Sequence, residues 1–221
     1  MSKFNLKVYS LSILIAVAAM LTTTSTMAFT VTAGGSILAG EGLTTSVTGT
    51  TVEDFDPDLS LPSGYTGGAV VIGSSSGNWA SPPDDGSNYY TVGASGGQSS
   101  PGTLTLGSLN QYFGFYGGSP DTYNSIELWL DDTQLDVISG GELATAATVN
   151  PNGDKTVGVY WNIWADDISE YFNKVVFVST RNAFETDNHA HLAAVPIPAA
   201  VWLFGCGLIG LISLSKHKKS T

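Results

Sequence analysis

The stretch TVGVYWNIW, residues 156–164, decides how this chain is read. Successive side chains of an extended strand point to opposite faces. Val157, Val159, Trp161 and Ile163 therefore share one face, and Gly158, Tyr160, Asn162 and Trp164 take the other. A second stretch, KVVFVS at 174–179, is apolar on both faces, as expected of a central strand covered from both sides.

Outward from these two segments the same pattern recurs. Further strands are expected at Ser46–Phe55, Gly68–Ile72, Tyr89–Val92, Gly102–Leu106, Gln111–Tyr116, Ser125–Asp131, Leu135–Ser139 and Ala183–Ala190. The connections PSGYTGG, SPPDDGSN, ASGGQSSPG, GGSPD and NPNGD each carry the Gly or Pro punctuation of turns. The expected class is all-β, an antiparallel two-sheet sandwich of jelly-roll type, rather than alternating β and α units. Helix is expected only as a short turn within Ala165–Phe172.

Both ends of the chain differ from this middle. Lys3 and Lys7 precede the apolar run Val8–Leu21, and the small, polar TTTSTMA follows. That layout is a secretory signal peptide, expected to be cut after Ala28 by signal peptidase on passage through the Sec translocon. At the other end, Ala199–Leu214 is apolar or small throughout and would measure ~24 Å as a helix. Lys216, Lys218 and Lys219 would hold its end in the cytoplasm and leave the rest of the chain outside. Three parts result: a signal helix at 1–28, an exported domain at 29–194, and a transmembrane helix with a basic tail at 195–221. The exported part holds all 19 acidic residues but only Lys155, Lys174 and Arg181 as bases. Such a surface repels phosphate backbones, so nucleic acid is not an expected partner. The only cysteine, Cys206, lies in the C-terminal apolar run, so no disulfide staples the domain.

The tail VPIPAAVWLFGCGLIGLISLSKHKK resembles the PEP-CTERM sorting signal in its VPxPA variant. The matching residues are Val195, Pro196, Pro198, Ala199, Ala200, the series Gly205, Gly207 and Gly210, and the lysines at 216, 218 and 219. The domain is also similar to exosortase-dependent surface proteins with this tail, in TVEDFD, PSGYTGGAVVIGSSSGNWASP, NYYTVG, YFGFYGGSPDTYNSI and FNKVVFVSTRNAFETDN. Gly117 stands where that family pattern carries Trp, and DNHAH stands where it reads like DNIAV. The resemblance implies transient residence in the inner membrane of a Gram-negative-type bacterium, processing by an exosortase, and delivery to the cell surface or the extracellular biofilm matrix.

Two segments carry candidate binding chemistry. In YFGFYGGSPDTYN, Tyr112 and Tyr116 share one strand face. As exposed rings they would stack on sugars, with Asp121 and Asn124 bonding hydroxyls of an exopolysaccharide. The plainer reading makes Gly114 a point of close strand approach and GGSPD a turn. In AFETDNHAH, Glu185, Asp187, His189 and His191 fall on one side of an extended strand. Glu185 and Asp187, joined by Asp54 or Glu53 from an early strand, offer oxygens to a structural Ca²⁺. The two histidines would instead suit a transition metal, and an exposed polar strand face is the plain reading.

Catalysis is not expected. Asp84/Asp85, Asp131/Asp132 and Asp166/Asp167 are adjacent pairs whose members point apart on a strand, and each sits beside turn signals. There is no G-x-S-x-G elbow, Walker loop or dinucleotide fingerprint. The expected role is structural or adhesive, in the exopolysaccharide matrix, with weak carbohydrate binding. The alternatives are a polysaccharide-acting hydrolase, which needs two carboxylates converging in one cleft, and a permanently anchored periplasmic domain.

Overall fold

The computed structural model describes residues 29–152 and 156–194. The expected signal segment with Ala28, and the sorting residues Val195 to Lys219, lie outside them.

In chain order the strands are β1 (Thr30–Ala33), β2 (Ser36–Leu38), β3 (Gly42–Thr44), β4 (Thr51–Glu53), β5 (Tyr65–Thr66) and β6 (Ala69–Ile72). They continue as β7 (Asn88–Val92), β8 (Gly102–Gly117), β9 (Asn124–Leu130) and β10 (Thr133–Ser139). Helix α1 (Gly140–Ala147) is followed by β11 (Val159–Trp164), a 3-10 turn at Ile168–Glu170, β12 (Phe172–Ser179) and β13 (Phe184–Ala193). Strand makes up 50 % of the structure and helix 7 %, so the all-β, antiparallel expectation holds.

The 16-residue strand β8 organises the sheet. Its first half pairs with β12 on one side and β5 on the other. Its second half pairs with β11 and β13. The strand path β10-β9-β12-β8-β13-β7-β6 curls around one core, with β1 added beside β11 and β4 beside β13. Two segments expected as separate strands, Gly102–Leu106 and Gln111–Tyr116, are thus one strand that serves both halves. Of the expected strand Ser46–Phe55, only Thr51–Glu53 pairs.

The alternation in TVGVYWNIW is realised on β11. Val159, Trp161 and Ile163 enter the main core with Phe113, Phe115 and Phe177. Each large apolar side chain so buried contributes ~1.5–3 kcal/mol. Tyr160 enters a second, smaller cluster with Tyr112, Tyr116 and Ala190, against Leu43, Val47, Trp164 and Leu192. Helix α1 closes one side of the main core, because Leu143 is fully buried and the Trp161 indole donates to the Leu143 carbonyl at 2.9 Å. A capping box starts that helix: the Ser139 hydroxyl accepts from the Glu142 amide, and the Glu142 carboxylate accepts from the Ser139 amide.

Nothing in the alternation announces the cover of the second cluster. The β2–β3 hairpin lies over it, and Gly42 makes this contact feasible. Its φ is +72°, and a Cβ there would stand 2.2 Å from the Tyr116 ring. Gly114 makes room from below: a Cβ on it would meet the Tyr112 hydroxyl at 2.3 Å.

Candidate functional site

Three loops at one end of the sheet enclose a cleft of about 510 Å³. The loop between β6 and β7 supplies residues 74–83, the loop between β8 and β9 supplies Gly118, Ser119, Asp121 and Tyr123, and Asn182, Ala183 and Glu185 enter with β13. A tight turn, in which the Ser75 carbonyl accepts from both the Asn78 and Trp79 amides, places Trp79 on the wall. That loop is tied to the sheet at two points. The Ala80 amide donates to Glu185 Oε1 at 2.7 Å, and Asn182 Nδ2 donates to the Gly77 carbonyl at 2.9 Å.

Elsewhere in the lining, the Tyr123 hydroxyl donates to Asp121 Oδ2 at 2.6 Å and leans on the Asn182 carbonyl at 3.3 Å. The Arg181 guanidinium stands 5.6 Å from the Tyr123 ring centroid, within range of a cation–π contact. Burial raises the Tyr123 phenol well above its ordinary range, and the neighbouring Asp121 raises it further, so this phenol stays protonated as a donor. The cleft thus offers two half-buried aromatic rings, two carboxylates, two asparagine amides and several serine hydroxyls. An apolar wall with a few placed polar groups suits a polyhydroxylated ligand.

The sugar-binding residues expected from sequence are divided by the structure. Asp121 lines the cleft. Tyr112 and Tyr116 do not: they are 0 % and 1 % exposed, because residues 36–47 cover the face that was expected to be open. Their hydroxyls are also committed. Tyr112 donates to Asn162 Oδ1 at 2.8 Å, and Tyr116 donates to the Pro83 carbonyl. Asn124 is buried as well, with its amide on the Ala183 carbonyl and its oxygen accepting from Ser179 Oγ at 2.7 Å. These three side chains are committed to the interior of the fold. Trp79 and Tyr123 are the aromatic residues that sequence reasoning missed. Their signal was an aromatic side chain set inside a turn cluster, in GNWASPP and SPDTYN.

The expected metal ligands are also separated. The strand β13 is irregular between Asp187 and Ala190, with Asn188 at φ +49°. This bulge reverses the alternation. Glu185 and Asp187 stay on one face while His189 turns to the other, so the four side chains do not share a side. His189 is enclosed by Phe55, Tyr65, Tyr90, Phe113, Phe115 and Phe177. Its Nδ1 is 2.9 Å from the Tyr65 hydroxyl and its Nε2 2.9 Å from Thr186 Oγ1. Burial lowers its pKa to about 3, so the ring is neutral with both nitrogens engaged. His191 faces Asn110 Oδ1 at 3.0 Å. Both imidazoles are thus engaged within the fold rather than facing each other.

Asp54 is exposed and accepts from the Asp56 amide at 3.2 Å, and Glu185 is held by Ala80, so Asp54, Glu185 and Asp187 do not form one ligand set. Among the described residues, no three His, Cys, Asp or Glu side chains converge as a metal-binding group. Asp187 itself is fully buried beside Asp85. Comparison with family models, with curated proteins and with solved structures found no match for this chain.

Proposed function

We propose that this chain is an exported surface or matrix protein that holds a polysaccharide segment in the cleft between Trp79 and Tyr123. The observation that carries the reading is the cleft's composition: two aromatic side chains, Trp79 and Tyr123, in one lining with Asp121, Asn182 and Glu185, on a strongly acidic β domain without cysteine. Sugar rings stack on such aromatic faces, and the side-chain oxygens and amide take their hydroxyls. The signal segment and the PEP-CTERM-like tail supply the route: Sec export, a transient stay in the inner membrane, and exosortase processing near Val195–Ala199. The protein then resides at the cell surface or in the exopolysaccharide matrix. We read the curled sheet as a two-layer, jelly-roll-like sandwich in which β8 passes from one layer to the other, with the cleft at the loop end.

Affinity electrophoresis of the full-length protein through gels containing the producing cell's exopolysaccharide tests the binding. Retardation is expected for the native chain, together with its loss in Trp79→Ala but not in Val137→Ala on the far strand β10. Equal mobility of all three overturns the reading. The delivery route is checked separately by mass spectrometry of the secreted form, which should lack Trp202–Lys219.

One observation favours a second reading. Asp121 and Glu185 line the same cleft, as a glycoside hydrolase requires. Each already accepts a hydrogen bond, from Tyr123 and Ala80, which fits a positioning role better. Release of reducing ends from bound polysaccharide, lost in Asp121→Asn, would establish the hydrolase instead.

A further inference from the structure

Behind the cleft, the loop at residues 82–87 meets β13 and the segment 40–43. Asp187, on β13 opposite Tyr116, is 0 % exposed, and Asp85, on the loop, is 8 % exposed. Their carboxylates lie within hydrogen-bonding reach of each other. Asp85 Oδ1 is occupied, accepting from the Ser87 amide at 2.9 Å and the Ser87 hydroxyl at 2.6 Å. Its Oδ2 receives nothing, and neither oxygen of Asp187 receives a hydrogen bond. The Asn188 amide is near enough to favour the charge on Asp187 without being aligned to bond it.

The next side chain adds to the deficit. Asn188 is fully buried. Its Nδ2 donates to the carbonyls of Glu41 and Leu43 at 3.1 and 3.2 Å, while its Oδ1 has no donor. Four buried oxygens therefore lack any donor within this one contact between the loop and the strand. Buried acceptors left in this state are costly and uncommon. Around them stand Glu41, Asp54 and Asp56, all close enough to act on the buried pair. The two described basic side chains are placed elsewhere, Lys174 over Trp129 and Arg181 over Tyr123.

We infer that Asp85, Asp187 and the Asn188 side-chain oxygen hold a divalent calcium ion that ties the 82–87 loop to β13. All the donors are oxygens, which selects a hard cation over a transition metal. Two carboxylates with an amide oxygen supply fewer than the six to eight oxygens calcium takes, so water and main-chain carbonyls complete the shell. The exposed carboxylates of Asp54 and Asp56, with half-buried Glu41, form an acidic approach from solvent. Because Ser81 Oγ donates to the Asp85 carbonyl at 2.6 Å, and Ser81 to Pro83 line the cleft, the ion also fixes one cleft wall.

The alternative for the pair is a shared proton. Burial first, and then the Asp85 charge, raise Asp187 to about 9, so one proton would remain between them at neutral pH if no cation were bound. Equilibrium binding of ⁴⁵Ca²⁺ to the full-length chain, with its melting temperature in calcium and in EGTA, separates the two. One ion bound with a Kd on the order of 10⁻⁴ M is expected, in the range of extracellular sites. Melting should rise with calcium, and both responses should vanish in Asp187→Asn and Asp85→Asn and persist in Asp54→Asn. Asp187→Asn is near-isosteric with the protonated carboxyl, so it should fold without calcium. No calcium-dependent shift in the native chain, or an equal shift in native and Asp187→Asn proteins, overturns the inference.

Discussion

Asp187 and His189 stand two residues apart on β13, both buried, on opposite faces, and they differ in what their neighbours offer. His189 sits among six aromatic rings with a hydroxyl at each nitrogen. Asp187 sits beside a second carboxylate with no donor at either oxygen. A buried polar group whose bonds close within the fold belongs to the architecture. One whose bonds stay open either destabilises the fold or awaits a ligand. The bulge at Asn188 places the two on opposite faces.

Substitutions that break one side of this comparison should leave the other intact. The largest loss is expected from His189→Leu. It strands the Tyr65 and Thr186 hydroxyls in the core at ~1–3 kcal/mol each. Denaturant melts should show this loss equally with calcium and with EGTA. Asp187→Asn should act in the opposite direction. Without calcium at pH 7 it removes the cost of holding a buried carboxyl protonated far above its unfolded pKa, and a gain of about 2 kcal/mol is expected; with calcium the native chain should overtake it.

The pH dependence sharpens the same contrast, because the two groups carry opposite signs. Asp187 has a folded pKa raised to about 9, above its unfolded value. It therefore contributes stability that is lost as pH rises from about 4 toward 9. Asp85, Glu41 and Glu53 are raised as well and add to this trend. His189 has a folded pKa lowered to about 3, so its contribution is lost as pH falls from about 6.5. Between pH 6.5 and 9 only the carboxyl side titrates. In EGTA the melting temperature should rise on acidification through that window, each proton taken up contributing at most ~1.4 kcal/mol per pH unit. Saturating calcium should flatten the slope. Ser139→Ala, which opens the α1 capping box far from both groups, sets the baseline: a loss of about 1 kcal/mol, with no dependence on calcium.

Sequence alternation carried the core well wherever a strand was regular. The faces of β11 follow from residues 156–164 read with a period of two, whereas β12 buries Val175 and Phe177 fully and leaves Lys174 and Val178 half-buried on its other face. Alternation failed where structure is set by long-range cover or by a backbone irregularity. The short strands TVTA, SIL and GLT carry little alternation, yet β2 and β3 turn the Tyr112–Tyr116 face from a surface into a core. A two-residue period also cannot register a bulge. The one local hint at 188 was an asparagine within a strand, a residue that tolerates positive φ. Helix α1 did have a local signature, Ser139 three residues before Glu142. Of the cleft's lining, Asp121 was among the residues singled out from sequence, while Trp79 and Tyr123 line one cleft only because loops 74–83 and 118–123 are brought together by strands distant in sequence.

The most direct test of the account is a crystal structure of the protein grown with terbium in place of calcium. An anomalous peak is expected within roughly 2.3–2.6 Å of oxygens of both Asp85 and Asp187, with none near His189. A structure with no peak at that pair, and the two carboxyls joined by a short hydrogen bond, would contradict it.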